Sequence, residues 1–246
     1  MITLDGLHKE LDNQKVLDGL DLQIEKGETM VVIGRSGSGK SVTLKHMVGL
    51  MWPDRGRVII DGTELSGLKE REMRQVRRRF GVLFQSAALL SWLDIFENVA
   101  LPLREHTRKD EDEIREIVLD RLDLLDMKQH ANKMPSDLSG GMKKRAGLAR
   151  AIVLAPEIML YDEPSAGLDP VMANRINHLI LDVQKELGVT SVVVTHDMNS
   201  AYLVADRIAM LYKGKIIQVG EPDEIRKSDD PVVRQFVHGK IEGPID

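Results

Sequence analysis

Gly34-Arg35-Ser36-Gly37-Ser38-Gly39-Lys40-Ser41 has the spacing G-x-x-x-x-G-K-S, that of a phosphate-binding loop. The preceding run, Thr29-Met30-Val31-Val32-Ile33, is short, apolar and rich in β-branched residues, which predicts a buried strand. From Ser41 to Leu50 the apolar residues Val42, Leu44, Met47 and Val48 recur at helical spacing. The loop therefore lies on a strand-loop-helix turn, where its chemistry requires it. Glycines let the main chain approach oxygen atoms without a Cβ in the way. Successive N–H groups and the start of the helix then offer positive partial charge to phosphate. In such a loop Lys40 reaches the β- and γ-phosphates and the Ser41 hydroxyl completes a Mg²⁺ shell. The stretch predicts a nucleotide-binding α/β core.

The 246 residues leave room for one large core, or a core with a small subdomain. A net charge of -5 disfavours nucleic acid as a partner, whose binding proteins carry basic surfaces. The absence of cysteine excludes disulfides, thiolate metal sites and cysteine nucleophiles. The first residues, Met1-Ile2-Thr3-Leu4-Asp5, lack the long apolar run of a signal peptide. No run approaches the length of a membrane helix, so service to a membrane is expected to go through a partner.

Alternation over Ile2-Leu4 and Leu20-Leu22-Ile24 predicts strands separated by a turn at Asp12-Asn13, and Gly27 a tight turn before the phosphate-loop strand. Arg57-Val58-Ile59-Ile60 leads into Asp61-Gly62, a hairpin-type turn. A small antiparallel subdomain beside the core is expected. Arg71, Arg74, Arg77, Arg78 and Arg79 form the densest basic cluster, either a solvated helix face or a contact surface for acidic partner groups or lipid headgroups. Gly81-Val82-Leu83-Phe84-Gln85 is a short strand ending in an amide.

From Ser86 to about Val153 the pattern is helical, with Ile114, Val118, Leu122 and Leu125 on one face; this predicts an inserted helical subdomain over 86–153. Leu101-Pro102 and Met134-Pro135 are expected to break it. Trp92 and Phe96 fall at helical spacing, as packing or as a docking edge. Ser139-Gly140-Gly141 before a helix beginning near Met142 is a helix cap or a second anion-binding terminus.

Ile158-Met159-Leu160-Tyr161-Asp162-Glu163 is an apolar strand ending in two carboxylates, and open α/β sheets bind ligands beyond the carboxyl ends of their strands. Asp162 is placed to hold Mg²⁺ and Glu163 to act as general base toward water. Asp169-Pro170 opens a helix that Gly188 closes. Ser191 to Thr195 is a buried strand with His196 at its end, read as a γ-phosphate contact. A last hairpin turns at Lys213-Gly214, followed by a polar segment and a tail.

In this order the motifs resemble those of the ATPase subunit of ABC transporters. The resemblance rests on the phosphate loop, Gln85, Leu138-Ser139-Gly140-Gly141, Met159 to Pro164, Ser165-Ala166-Gly167-Leu168-Asp169 and His196. It covers Asp5 to Gly220 and implies an ABC ATPase domain over 1–220, with a C-terminal extension over 221–246. It also implies a nucleotide clamped between two copies. Gly34, Arg35, Ser36, Gly37, Ser38, Gly39, Lys40 and Ser41 of one copy would hold ATP. Leu138, Ser139, Gly140, Gly141 and Met142 of the other would cap it. Ser41, Gln85 and Asp162 would hold Mg²⁺; Glu163, His196 and Gln85 would serve catalysis; Asp169 would contact the opposing copy.

Met142 stands where the family usually has Gln. With Asn98 to Thr107 and the tail Gln235-Phe236-Val237-His238-Gly239, Gly243-Pro244, it resembles the Mla-type, MCE-associated phospholipid transport ATPases. That narrower resemblance implies phospholipid movement between membranes that maintains outer-membrane lipid asymmetry. Its implied partners are a membrane permease, an MCE lipid-binding protein and a STAS-domain subunit, with the chain peripheral on the cytoplasmic face of the bacterial inner membrane and its tail gripping the neighbouring ATPase. One departure stands out. The family's adenine-stacking aromatic aligns with Leu11, and residues 1–51 hold no aromatic. Stacking on a base contributes about 1–3 kcal/mol, so weaker adenine affinity or a relaxed base preference is expected. An ABC ATPase for another cargo, or one outside transport, is the rival reading; the latter commonly carry two cassettes or long coiled-coil insertions, which are missing from this sequence.

Overall fold

The structure, a computed structural model, describes residues 1–245. Asp246, the last residue of the expected C-terminal extension, lies outside the described residues. The chain divides into two compact units: Met1–Arg77 with the chain from Thr190 onward, and Arg78–Val189. The expected helical subdomain, 86–153, falls inside the second unit.

The first unit opens with β1 (Ile2–Leu11) and β2 (Gln14–Ile24), then β3 (Thr29–Ile33), α1 (Lys40–Met47), β4 (Arg55–Ile60), β5 (Thr63–Glu64) and α2 (Glu70–Arg77). Strands β2, β1, β4 and β5 form an antiparallel sheet in that order. Asp12 and Asn13 both take left-handed angles, φ 49° and 61°, as a two-residue hairpin turn requires. The inward residues of β1 step from Leu4 to Leu7 instead of every second position, because the register shifts between them and Gly6 turns at φ 56°. This irregularity ends the simple alternation of the sequence while keeping Leu7 in the core.

The second unit contains β6 (Phe80–Leu83), α3 (Ile95–His106), α4 (Glu111–Leu124), α5 (Gly140–Ile152), β7 (Ile158–Asp162) and α6 (Pro170–Leu187). β6 and β7 pair in parallel. Ile114, Val118, Leu122 and Leu125 are all buried, each burial worth about 1.5–3 kcal/mol. Asp110 and Glu113 form a reciprocal capping box that starts α4.

The expected break at Leu101-Pro102 is not there: α3 runs through Pro102 to His106. A proline removes one main-chain donor but does not by itself end a helix whose face is buried. Ile95, Val99 and Leu103 hold that face in the core, and past the proline Arg104 pairs with both Glu97 and Glu111. Trp92 precedes the helix cap Asp94 and is 72% exposed, so Trp92 and Phe96 do not share a helical turn.

The chain returns to the first unit with β8 (Thr190–Thr195), α7 (Met198–Val204), β9 (Arg207–Tyr212), β10 (Lys215–Gly220), α8 (Pro222–Arg226) and α9 (Pro231–His238). There β3 pairs in parallel with both β8 and β9, and β10 closes antiparallel against β9. Every residue of β3 and β8 is buried, as expected of central parallel strands. Among the described residues no helix is long and apolar enough to cross a membrane.

Candidate functional site

In the first unit the phosphate loop leaves the end of β3 and enters α1. A Cβ added at Gly34 would sit 2.6 Å from the Leu211 carbonyl oxygen and 2.8 Å from Ser38 Oγ, so only glycine fits against β9. Gly37 and Gly39 take φ 79° and 102°, a conformation that favours glycine. The Ser38 N–H donates to the Arg35 carbonyl at 3.1 Å, closing the turn between them. Lys40 is buried and folds back over the loop, its ammonium donating to Gly34 O at 2.7 Å and Arg35 O at 3.0 Å. Helix α1 starts from Gly39, which brings no side chain to cap it. Ser38 Oγ is buried with no hydrogen-bond partner among the described residues. A narrow glycine cradle with a buried hydroxyl, a lysine folded across it and an uncapped helix start fits a phosphate group. Leu11 lies at the end of β1, beside the Asp12–Asn13 turn.

His196 follows β8 and is exposed. Its position is fixed from the far side: Asp197 N–H donates to Thr195 Oγ1 at 3.0 Å, and the Asp197 carboxylate caps α7 through Asn199 N–H and the Ser200 hydroxyl.

In the second unit β7 carries four buried residues and ends at Asp162. Glu163 follows at φ 46°, left-handed without being glycine, and is 9% exposed. Its carbonyl accepts from Ala166 N–H at 3.1 Å and from the Lys144 ammonium at 3.1 Å. Burial pushes the Lys144 pKa below the usual lysine range, while the charges of Asp162 and Glu163 act in the opposite sense.

Ser139 is the N-cap of α5, with its Oγ accepting from Met142 N–H at 3.4 Å. Leu138 is buried just ahead of it. A Cβ at Gly141 would meet only the end of the flexible Met172 side chain, at 2.6 Å. Asp169 caps α6, accepting from Val171 N–H at 3.0 Å and Met172 N–H at 3.1 Å.

Gln85 is exposed after β6, at the start of a turn closed by Ala87 N–H to Phe84 O at 2.8 Å. Ala87 and Ala88 are consecutive left-handed residues, φ 61° and 47°. The Arg150 guanidinium holds both carbonyls, Ala88 O at 2.7 Å and Ala87 O at 3.0 Å. Burial lowers the Arg150 pKa from its ordinary value. Arg145 likewise donates to the carbonyls of Leu125 and Asp126, each at 3.2 Å, and Asp126 is left-handed at φ 53°.

The phosphate loop and His196 thus lie in the first unit; Gln85, Leu138 to Met142, Asp162, Glu163 and Asp169 lie in the second. Sequence reasoning missed Lys144, Arg145 and Arg150. Their only signal is four basic residues in a helix otherwise built of Gly, Ala and apolar residues, small enough to pack close on every side.

A phosphate loop on a parallel sheet, two carboxylates ending a second strand and a serine-capped Gly-Gly helix are the parts of an ATP-binding cassette. The family described as "ABC transporter" matches residues 17–166, and the chain belongs to that family. Its relatives include the probable ribonucleotide transport ATP-binding protein mkl of Mycobacterium tuberculosis, 44% identical over 99% of this chain and 68% of that protein. The intermembrane phospholipid transport system ATP-binding protein MlaF of Haemophilus influenzae is 39% identical over 100% of this chain and 93% of its own length. A solved dimeric ATP-binding cassette, in a post-hydrolysis state with ADP and Pi, has a TM-score of 0.83 and 33% identity. That match covers 90% of this chain and 99% of the solved one.

Proposed function

We propose that the chain is the ATP-hydrolysing subunit of an ABC transporter that moves phospholipids between membranes and so maintains outer-membrane lipid asymmetry. The observation that carries the cargo is the match to MlaF along the whole chain, tail included. ATP hydrolysis is supported by the phosphate-shaped loop and by the likeness to a cassette holding ADP and Pi.

The loop from Gly34 to Ser41 binds the phosphates, with Lys40 released from the Gly34 and Arg35 carbonyls to neutralise them. Ser41, Gln85 and Asp162 would hold a Mg²⁺ ion, which when bound would supply positive charge to the phosphate oxygens. Among the described residues no three His, Asp or Glu side chains cluster to hold a metal alone, which suits an ion that relies on substrate phosphates. Glu163 takes the proton of the attacking water, and His196 steadies the γ-phosphate. Ser139 and its neighbours up to Met142 act on the nucleotide of a second copy, and Asp169 meets that copy. Residues 1–220 are the ATPase domain and 221–246 an extension that grips the neighbouring subunit. The chain is peripheral on the cytoplasmic face of the bacterial inner membrane through a permease, and an MCE protein and a STAS-domain subunit complete the assembly.

Glu163→Gln tests the chemistry. Nucleotide binding is expected to persist while turnover falls by about 10²–10⁴. Ordinary turnover in that variant removes Glu163 as the base. The cargo is tested by purifying the membrane complex and identifying what it holds. Co-purified phospholipid with an MCE protein supports the reading. Bound ribonucleotide outside the ATP site favours a second reading, which the 44% identity to mkl raises.

A further inference from the structure

We propose that Lys144, on the helix capped by Ser139, is a positioning residue for Glu163. Its ammonium holds the Glu163 main-chain carbonyl and thereby fixes where the Glu163 carboxylate points. This rests on the reading of Glu163 as the general base.

The two residues are 19 apart in sequence, and their contact spans 3.1 Å. Lys144 is only 5% exposed. Burying an ammonium is costly, so a lysine stays there only where acceptors and opposite charges meet it. What meets it is the Glu163 carbonyl, together with the charges of Asp162 and Glu163. The preceding residue, Lys143, is not buried, so the contact belongs to one position of the helix.

Glu163 needs such a hold. A non-glycine residue in the left-handed region is strained and persists only where the surroundings over-determine it. Rotating the Glu163 peptide toward ordinary angles would swing its carbonyl away from both Lys144 and Ala166 N–H, and swing the carboxylate with it. The same helix repeats the device. Arg145 holds the carbonyl of left-handed Asp126, and Arg150 those of left-handed Ala87 and Ala88. Lys144 is the member of this set whose strained partner carries the reactive group. The helix that starts at the signature serine therefore also aims the base.

The test uses the full chain with Lys144→Met, Lys144→Gln and Lys144→Arg, each alone and with Glu163→Gln. Lys144→Met is expected to lower kcat between about ten-fold and a hundred-fold, because small misplacements of a reacting group have effects of that size. KM and nucleotide affinity stay unchanged. Lys144→Arg, which still donates to the carbonyl with a positive charge, restores most of kcat, and Lys144→Gln falls between. In the Glu163→Gln background Lys144→Met adds no further loss, since it acts only through the base. Where Lys144→Met fails to fold, Lys144→Gln carries the same comparison.

Wild-type kcat in Lys144→Met with Glu163→Gln inactive overturns the positioning role alone. A further loss in the double variant equal to that in the single one also overturns it, showing that Lys144 acts elsewhere. Ordinary turnover in Glu163→Gln overturns the base reading, and the positioning role with it.

Discussion

The phosphate loop and the Glu163 turn do comparable work by opposite means. In the loop the unusual angles belong to Gly37 and Gly39, and the crowded place, against the Leu211 carbonyl, belongs to Gly34. The shape is paid for locally, by residues with no side chain. At the turns that α5 reaches in the second unit the unusual angles belong to Ala87, Ala88, Asp126 and Glu163, none of them glycine. Beside local main-chain bonds from Ala87, Asp126, Met127 and Ala166 N–H, those turns are held from afar by Arg150, Arg145 and Lys144 on α5, up to 63 residues away. A glycine-built site keeps its shape when its surroundings shift. A clamped site keeps its shape only while the clamp is in place, so it can respond to movement of the helix.

After Glu163→Gln, the largest expected effect is on the clamp. Arg150→Met leaves two carbonyls without a charged donor, each such bond being worth about 1.5–3 kcal/mol. A stability loss of about 3 kcal/mol is expected by denaturant unfolding, with Arg150→Lys recovering only part, since the single nitrogen of an ammonium does not reproduce the planar two-nitrogen fork of the guanidinium. Unchanged stability would break the contrast, because the Ala87–Ala88 pair would then hold itself.

Gly34→Ala sharpens the other side. Its methyl would press on the Leu211 carbonyl at 2.6 Å, an overpacking cost of about 1–3 kcal/mol. The expected result is weakened nucleotide binding by titration and a lower Tm, with the second unit's amide exchange unchanged.

The smallest effect concerns His46, buried on α1 behind the loop. Its Nδ1 lies 2.7 Å from the Val42 carbonyl, and Nε2 has no hydrogen-bond partner among the described residues. Burial lowers its pKa below 6.5, with the Val42 and Trp52 main chain and the charge of Asp54 opposing and that of Lys9 adding. The folded form thus resists protonation more than the unfolded one. Above pH 6.5 both are neutral and nothing is lost; as pH falls through 6.5 the unfolded chain gains the proton first and stability declines. Thermal melts of wild type and His46→Gln, compared between about pH 7.5 and 5.5, should show the steeper fall in wild type. Parallel curves would remove the role of His46.

The same contrast marks what the sequence discloses. The phosphate loop, the Asp12–Asn13 and Asp61–Gly62 turns and the Asp169 cap were legible because each is settled by neighbours a few residues away. Pro102 was misleading because its local rule was outweighed by the buried face of α3 and the Arg104 pairs. Trp92 and Phe96 have helical spacing, but Asp94 starts the helix between them. The clamps of α5 were invisible for a different reason. A lysine that will meet a carbonyl 19 residues on looks like any other basic residue in a charged helix.

In each α5 clamp the donor is a side chain and the acceptor is main chain. Every amino acid brings the same carbonyl, so Leu125, Ala87 and Ala88 can change identity without breaking the contact, provided the new residue tolerates the local backbone angle. Lys144, Arg145 and Arg150 have no such freedom. Mutational tolerance should therefore be lopsided across each contact, generous on the loops and strict on the helix, and a saturation scan would trace α5 by its intolerant positions alone.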